Sequence, residues 1–230
     1  MRFLETAAGI SCSLALILIL LLTSVERVAF GDLSFYQKEF RKYDVYSALP
    51  IPEEETDRVA AEMVDYLSGR REHLNDILVT IDEVPDIPFF NESECAHMED
   101  VRKLFLGGYA LRRICGLIAL AAVMFLAARK ALGGLPKTLL LTAFAGALIC
   151  GGILLLFLSD FDRYFIVFHE IFFKQGNWMF DPAESRMINM LPEGFFLDCV
   201  RNIAGNFAVS MAVLLSCAAV LMIKERIKKN

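Results

Sequence analysis

Four stretches of this chain constrain its fold before anything else does. Residues 7–25 carry no charge, nor do residues 138–159 or 202–223. Each reaches the roughly 18–20 residues that a helix needs to cross ~30 Å of hydrocarbon. Residues 104–128 form a fourth run of that length, interrupted by Arg112 and Arg113. Hydrophobic residues make up 56% of the 230-residue chain. That exceeds the roughly 45–50% of a soluble domain, and the excess sits in these runs. The expected fold class is a mainly α membrane protein. It has four transmembrane helices, in segments 1–29, 104–128, 138–159 and 202–224. A small extracellular domain at 30–103 and an interfacial helical segment at 160–201 complete it.

Basic residues set the expected orientation. Arg129, Lys130 and Lys137 flank the short link between the second and third spans, and Lys224, Arg226, Lys228 and Lys229 follow the fourth. Short basic loops stay in the cytoplasm, so both termini are expected inside and segments 30–103 and 160–201 outside. Segment 30–103 holds 18 acidic against 8 basic residues, which accounts for the formal charge of −5. An acidic outer face argues against nucleic acid as a partner. Val25, Glu26 and Arg27 follow the first apolar run where a small-x-small cleavage site would stand, so the first span reads as an uncleaved anchor.

The outer segments are short. In residues 53–69, acids crowd the first turn, Val59, Met63, Val64 and Leu67 recur near one face, and Gly69 suits a helix end. Residues 82–94, with Pro85, Pro88 and a Phe pair, read as a loop. Residues 161–173 are too short and too charged for a fifth span and suit an interfacial or re-entrant helix. On that helix Phe165, Phe168, His169 and Phe172 share a face. Trp178, the single tryptophan, suits headgroup depth.

All three histidines fall in the outer segments. His73 lies among charges and reads as a solvated side chain. On a helix, Glu94, His97 and Asp100 follow at intervals of three, so both acids can neighbour the imidazole. A carboxylate on one ring nitrogen fixes the tautomer and raises the basicity of the other. A helix-end salt bridge accounts for the same spacing. His169 beside Glu170 reads either as a packed interface histidine or as a reacting group. No HExxH, CxxC, GxSxG or glycine-rich phosphate loop occurs, so neither a metal nor a cofactor is expected. Cys95 and Cys199 are the two cysteines outside the spans, and they can pair there if their Cβ atoms meet. Arg112 and Arg113, near the outer end of the second span, either mark the membrane interface or bind lipid headgroups. The paired glycines at 107–108, 133–134 and 151–152 are expected to let helices approach.

Two blocks, "ECAHMEDV" and "FHEIFFKQGNWMFDP…MINMLPEGFF", resemble the signature blocks of the lipoprotein intramolecular transacylases, the Lit family of Gram-positive bacteria. The order of spans and outer segments is similar along nearly the whole chain. The chain departs from the family pattern at 184–186, where an Asp is expected near Ser185. The resemblance implies His97 and His169 as the catalytic pair. Glu94, Asp100, Glu170, Trp178, Asp181 and Glu193 would support them, and Arg112 and Arg113 would contact lipid. It implies a diacylglyceryl lipoprotein as substrate, in the outer leaflet of a bacterial plasma membrane, acted on by a monomer without cofactor. The sn-2 acyl chain of the S-diacylglyceryl group would move to the α-amine of the N-terminal cysteine. A non-enzymatic lipid-binding or accessory membrane protein is the alternative, and it would tolerate loss of either histidine. A membrane metalloenzyme would be silenced by a chelator.

Overall fold

A computed structural model describes residues 2–229. The side chains of Arg2, Lys228 and Lys229 lie outside that description, so the basic residues expected at 228 and 229 rest on the sequence alone. Nine α-helices and one β-hairpin are described, in the order α1 (Arg2–Ala29), α2 (Ser34–Lys42), α3 (Val45–Ala48), α4 (Glu53–Leu67), β1 (Leu78–Ile81), β2 (Val84–Pro88), α5 (Glu92–Ala128), α6 (Leu135–Ser159), α7 (Phe161–Phe172), α8 (Arg186–Met190) and α9 (Glu193–Lys229). Four helical stretches, Phe3–Ala29, Glu92–Ala128, Leu132–Ser159 and Glu193–Ile227, are long and apolar enough to cross a membrane. The protein is a multi-pass membrane protein.

The chain divides into two compact units. One holds Tyr109–Leu156 with the described residues before Glu26 and after Arg201. Small buried residues, Cys12 and Ala15 on α1 and Cys115, Ala119 and Ala122 on α5, form one seam of its interior. Of the expected pairs, Gly133 stands close to a neighbour, with a Cβ there 3.1 Å from the Glu225 carboxylate. A Cβ on Gly9 would come within 2.8 Å of Thr138, whereas Gly107, Gly134, Gly151 and Gly152 face open space. Lipid tails are as apolar as leucine, so large exposed side chains such as Leu117, Leu141 and Leu155 are at home on this unit.

The second unit, Glu26–Gly108 with Phe157–Arg201, holds all three histidines. Its interior gathers Phe40, Val59, Met63, Ile77, Phe89 and Met190, all at or below 1% exposure. Helix α4 behaves as its pattern dictates. Glu53, Glu54 and Glu55 occupy the first turn, where the helix dipole favours anions, and Val59, Met63, Val64 and Leu67 are buried. Gly69 follows with φ +85°, and its N–H bonds the Tyr66 carbonyl.

The expected loop at 82–94 is in part a strand. β1 and β2 pair antiparallel, with Val79 opposite Ile87 and Ile81 opposite Val84. Asp82 and Glu83 sit at φ 50° and 64°, the left-handed pair that a tight primed hairpin turn requires. Pro85 and Pro88 hid the strand, because proline donates no hydrogen bond. In a two-stranded ribbon every position is an edge, and proline is tolerated there. Arg58 on α4 holds the hairpin by donating to the Leu78 carbonyl at 2.6 Å.

Helix α5 has 37 residues, ~55 Å at 1.5 Å per residue, well beyond the ~30 Å of a bilayer core. Its first turns, up to Gly108, belong to the histidine-bearing unit. His97 therefore precedes the membrane-spanning part of its own helix.

Candidate active site

Asn91 and Glu94 cap the start of α5 reciprocally. The Glu94 N–H bonds Asn91 Oδ1 at 2.9 Å, and the Asn91 N–H bonds Glu94 Oε2 at 2.7 Å. This capping box fixes the helix start. The other carboxylate oxygen of Glu94 accepts from the Ser185 hydroxyl at 2.5 Å and from the Met187 N–H at 3.0 Å. Arg186 adds bonds to the carbonyls of Pro88 and Phe89 at 2.7 and 2.9 Å. The two polar blocks, 91 residues apart in sequence at Glu94 and Ser185, are thus clamped together.

One and two turns into α5, His97 and Asp100 follow. On α7, the chain brings His169 to the same place. The imidazole centroids of His97 and His169 lie 6.0 Å apart with the rings 25° from parallel. Both side chains are buried, at 6% and 7% exposure. Aromatic rings enclose them. Phe165 and Trp178 lie 4.2 and 4.8 Å from His169, Phe173 lies 4.9 Å from His97, and Phe180 lies 5.7 Å from His97.

His169 Nδ1 lies 2.8 Å from the Phe165 carbonyl oxygen. A carbonyl only accepts, so a neutral His169 carries its proton on Nδ1 and presents a bare Nε2. Burial pushes the His169 pKa down, against the pull of the Phe165 carbonyl. Burial, reinforced by a charge on His169, pushes His97 down to about 4, while Asp100 and Asn177 work in the opposite sense. Both imidazoles are neutral at pH 7, and a charge on one opposes a charge on the other.

The supporting residues fall into groups. Asp100 accepts from the amides of Gln175 and Asn177 and from Lys103. Neither Glu94 nor Asp100 bonds the His97 ring among the described residues. Glu94 serves as the clamp, and Asp100 reaches the ring through its charge. Trp178 stacks on His169 and is half-buried. Glu170 is exposed, and Asp181 closes a local turn by accepting from the Ala183 N–H at 2.9 Å. Glu193 lies beside Asp162, away from the rings' contacts; burial and the Asp162 carboxyl hold its pKa up. Arg112 lies 5.6 Å from the Tyr109 ring, and Arg113 is exposed. Cys95 and Cys199 are free thiols in this structure. Among the described residues no cluster of three His, Cys, Asp or Glu side chains is arranged to hold a metal ion.

Gln175, Asn177, Ser185 and Arg186 were invisible as site residues in the sequence. Their roles depend on partners 75 to 98 residues away. Gly176, at φ +73°, was the one local signal of a sharp turn between Gln175 and Asn177.

The sequence model of the family described as lipoprotein intramolecular transacylase Lit matches residues 10–196. Solved structures are similar along the whole chain. The membrane-integral lipoprotein intramolecular transacylase Lit from Bacillus cereus superposes with a TM-score of 0.82 at 18% identity, covering 99% of this chain and 100% of that one. The same protein with one histidine changed to arginine gives 0.79 at 17% identity, covering 99% and 96%. With that histidine changed to alanine it gives 0.79 at 17%, covering 98% and 97%. No curated protein sequence matches the chain.

Proposed function

The chain belongs to the family of lipoprotein intramolecular transacylases, and on that premise we propose that His97 and His169 are its acid–base pair. The enzyme is an acyltransferase that acts on lipoproteins in the membrane. The specific reaction we assign is transfer of the sn-2 acyl chain of an S-diacylglyceryl cysteine to the α-amine of that same cysteine. The observation that carries the reading is the pair of buried, stacked imidazoles in an aromatic enclosure.

Proton bookkeeping matches two histidines. The attacking nitrogen begins as an ammonium, with a reference pKa of about 7.7–8.0, and ends as an amide N–H. It loses two protons while the N–C bond forms at the sn-2 carbonyl. One proton goes to the glycerol oxygen as the ester C–O bond breaks, and the other goes to solvent. His169 is the base on the ammonium, because its Nδ1–H is held by Phe165 and its Nε2 is free. His97, also neutral, takes the second proton of the attacking nitrogen and passes it to the departing glycerol oxygen, while the proton taken by His169 goes to solvent. Donor and acceptor belong to one molecule, so no acyl carrier is consumed. Holding the ester and amine together can supply ~7–11 kcal/mol of the barrier.

The substrate's acyl chains need an apolar route. Ile166, Val167, Ile171 and Phe172 on α7, and Met179 after it, expose such a surface. We place this unit in the outer leaflet of a bacterial plasma membrane, as the acid surplus of 30–103 and the basic link at 129–137 support. Exposed Arg113 and its neighbour Arg112 would meet lipid headgroups there. One chain supplies both histidines, so a monomer suffices.

The test uses purified protein and a diacylated lipopeptide. Loss of the reactive N-terminal amine without a change of mass is expected, abolished in His97→Ala and in His169→Ala. A free amine that persists with the folded wild-type enzyme would refute the assigned reaction. Full activity of either variant would refute that histidine's role.

A further inference from the structure

Asp100 decides which way the Asn177 amide faces. Its Oδ2 accepts from the Gln175 side-chain amide and from Asn177 Nδ2, the latter at 3.4 Å. A carboxylate accepts and does not donate, so the NH2 end of Asn177 must point at Asp100. The oxygen end points away, into the protein.

Asn177 Oδ1 is buried there without a hydrogen-bond partner among the described residues, and so is His97 Nδ1. Asp100, which Asn177 contacts, stands one helical turn after His97 on α5, and the two unpaired groups are complementary. Asn177 Oδ1 is a pure acceptor, and Nδ1 of a neutral histidine is a donor in one of its two tautomers. The influence of Asn177 on His97 is in the sense expected of an oxygen facing the ring, since it favours the charged imidazole. Two polar groups left buried and unpaired are costly, and a hydrogen bond between them removes both penalties.

We propose that Asn177, oriented by Asp100, is the positioning residue that holds the His97 proton on Nδ1 and leaves Nε2 free for the reaction. The consequence is a matched pair. Phe165 fixes the Nδ1–H tautomer of His169 through a backbone carbonyl, and Asn177 does the same for His97 through a side chain. Both reactive Nε2 atoms are then specified before substrate arrives. Gly176, with φ +73°, makes this possible by letting Gln175 and Asn177 both turn back onto Asp100. The contribution to catalysis rests on the assignment of His97 given above, whereas the tautomer itself does not.

The experiment reads the tautomer directly. The full-length protein is labelled with 15N-histidine in detergent micelles, and long-range proton–nitrogen correlations are recorded. With three histidines in the chain, His73→Gln and His169→Gln assign the His97 signals. The expected wild-type result is Nδ1–H at His97. Asn177→Leu, which keeps the size and removes the acceptor, should shift His97 to Nε2–H or to a mixture. Turnover should fall roughly 10–100-fold with KM little changed, since orientation of an acid–base group is lost and substrate binding is not. Asp100→Asn, which frees the Asn177 amide to flip, should shift the tautomer the same way by less, and it serves if Asn177→Leu does not fold. An unchanged His97 tautomer in these variants overturns the proposal, even if activity falls. A changed tautomer supports it; if His97→Ala nevertheless stays active, the catalytic reading of His97 fails and the positioning contact stands.

Discussion

Burial of His97 should make the protein lose stability on acidification, and the size of the loss follows from the site. A folded-state pKa of about 4 lies below the ~6.5 of an unfolded histidine. Below pH 6.5 the unfolded chain therefore binds a proton that the folded one does not. Stability contributed by this group is present above pH 6.5 and is lost as pH falls towards 4. At pH 5 the loss from His97 is about 2 kcal/mol relative to pH 7. For a chain of this length, that lowers the apparent Tm by ~4–8 °C. His97→Phe keeps a flat ring in the aromatic enclosure and cannot titrate. Thermal unfolding of both proteins in the same detergent, at pH 7 and pH 5 and one scan rate, isolates the term, because every other acid and base is shared. The wild type should lose ~4–8 °C more than the variant. Equal losses would mean that His97 titrates as an exposed histidine does, and the neutral-pair argument would fail with it.

Three further outcomes follow. Glu94→Ala strips the acceptor from the N–H groups of Asn91 and Met187 and from the Ser185 hydroxyl. At about 1–3 kcal/mol for each of the two buried donors, the Ser185 hydroxyl and the Met187 N–H, it should destabilise by ~2–6 kcal/mol, against about 1 for Ser185→Ala; equal Tm losses would show that Glu94 is not the clamp. Gly194→Ala would set a Cβ 2.3 Å from the Tyr43 ring, whose hydroxyl donates to Asp198 at 2.7 Å. Overpacking of that kind costs about 1–3 kcal/mol, seen as a lower Tm, and a Tm equal to wild type would show that the Tyr43 ring moves freely. Treatment with EDTA should leave amine loss unchanged, and a rate restored only by added zinc would point to a metal mechanism instead.

The sequence marks His97 and His169 as candidates, and the structure brings them together, but the sequence gives their neighbours only in part. His97 and His169 were singled out because polar residues in greasy surroundings near a membrane are costly and need a reason. Helical spacing sets Glu94, His97 and Asp100 one turn apart on α5, so both acids can neighbour the imidazole. It did not reveal that Glu94 turns its oxygens towards residues 185–187 and Asp100 towards residues 175–177. Helical periodicity gives the face on which a side chain stands, and not which distant donor meets it. The hairpin was missed for a related reason. Pro85 and Pro88 forbid a central strand, and only the two-stranded pairing shows that none of its positions is central.

Span number and family were settled by the sequence itself. Twenty uncharged residues have one low-energy way to cross a bilayer, and no distant contact alters that. The family match likewise rests on residues that stand in the chain in order. Tertiary structure decided which residues surround each histidine. His97 and His169 are 72 positions apart, and their meeting depends on the clamp of Glu94 on Ser185 and on the turn at Gly176. Their neutrality depends on burial among five aromatic rings drawn from α7 and the loop after it. Desolvation and the direction of a hydrogen bond are properties of assembled neighbours, so they exist only once the chain has folded.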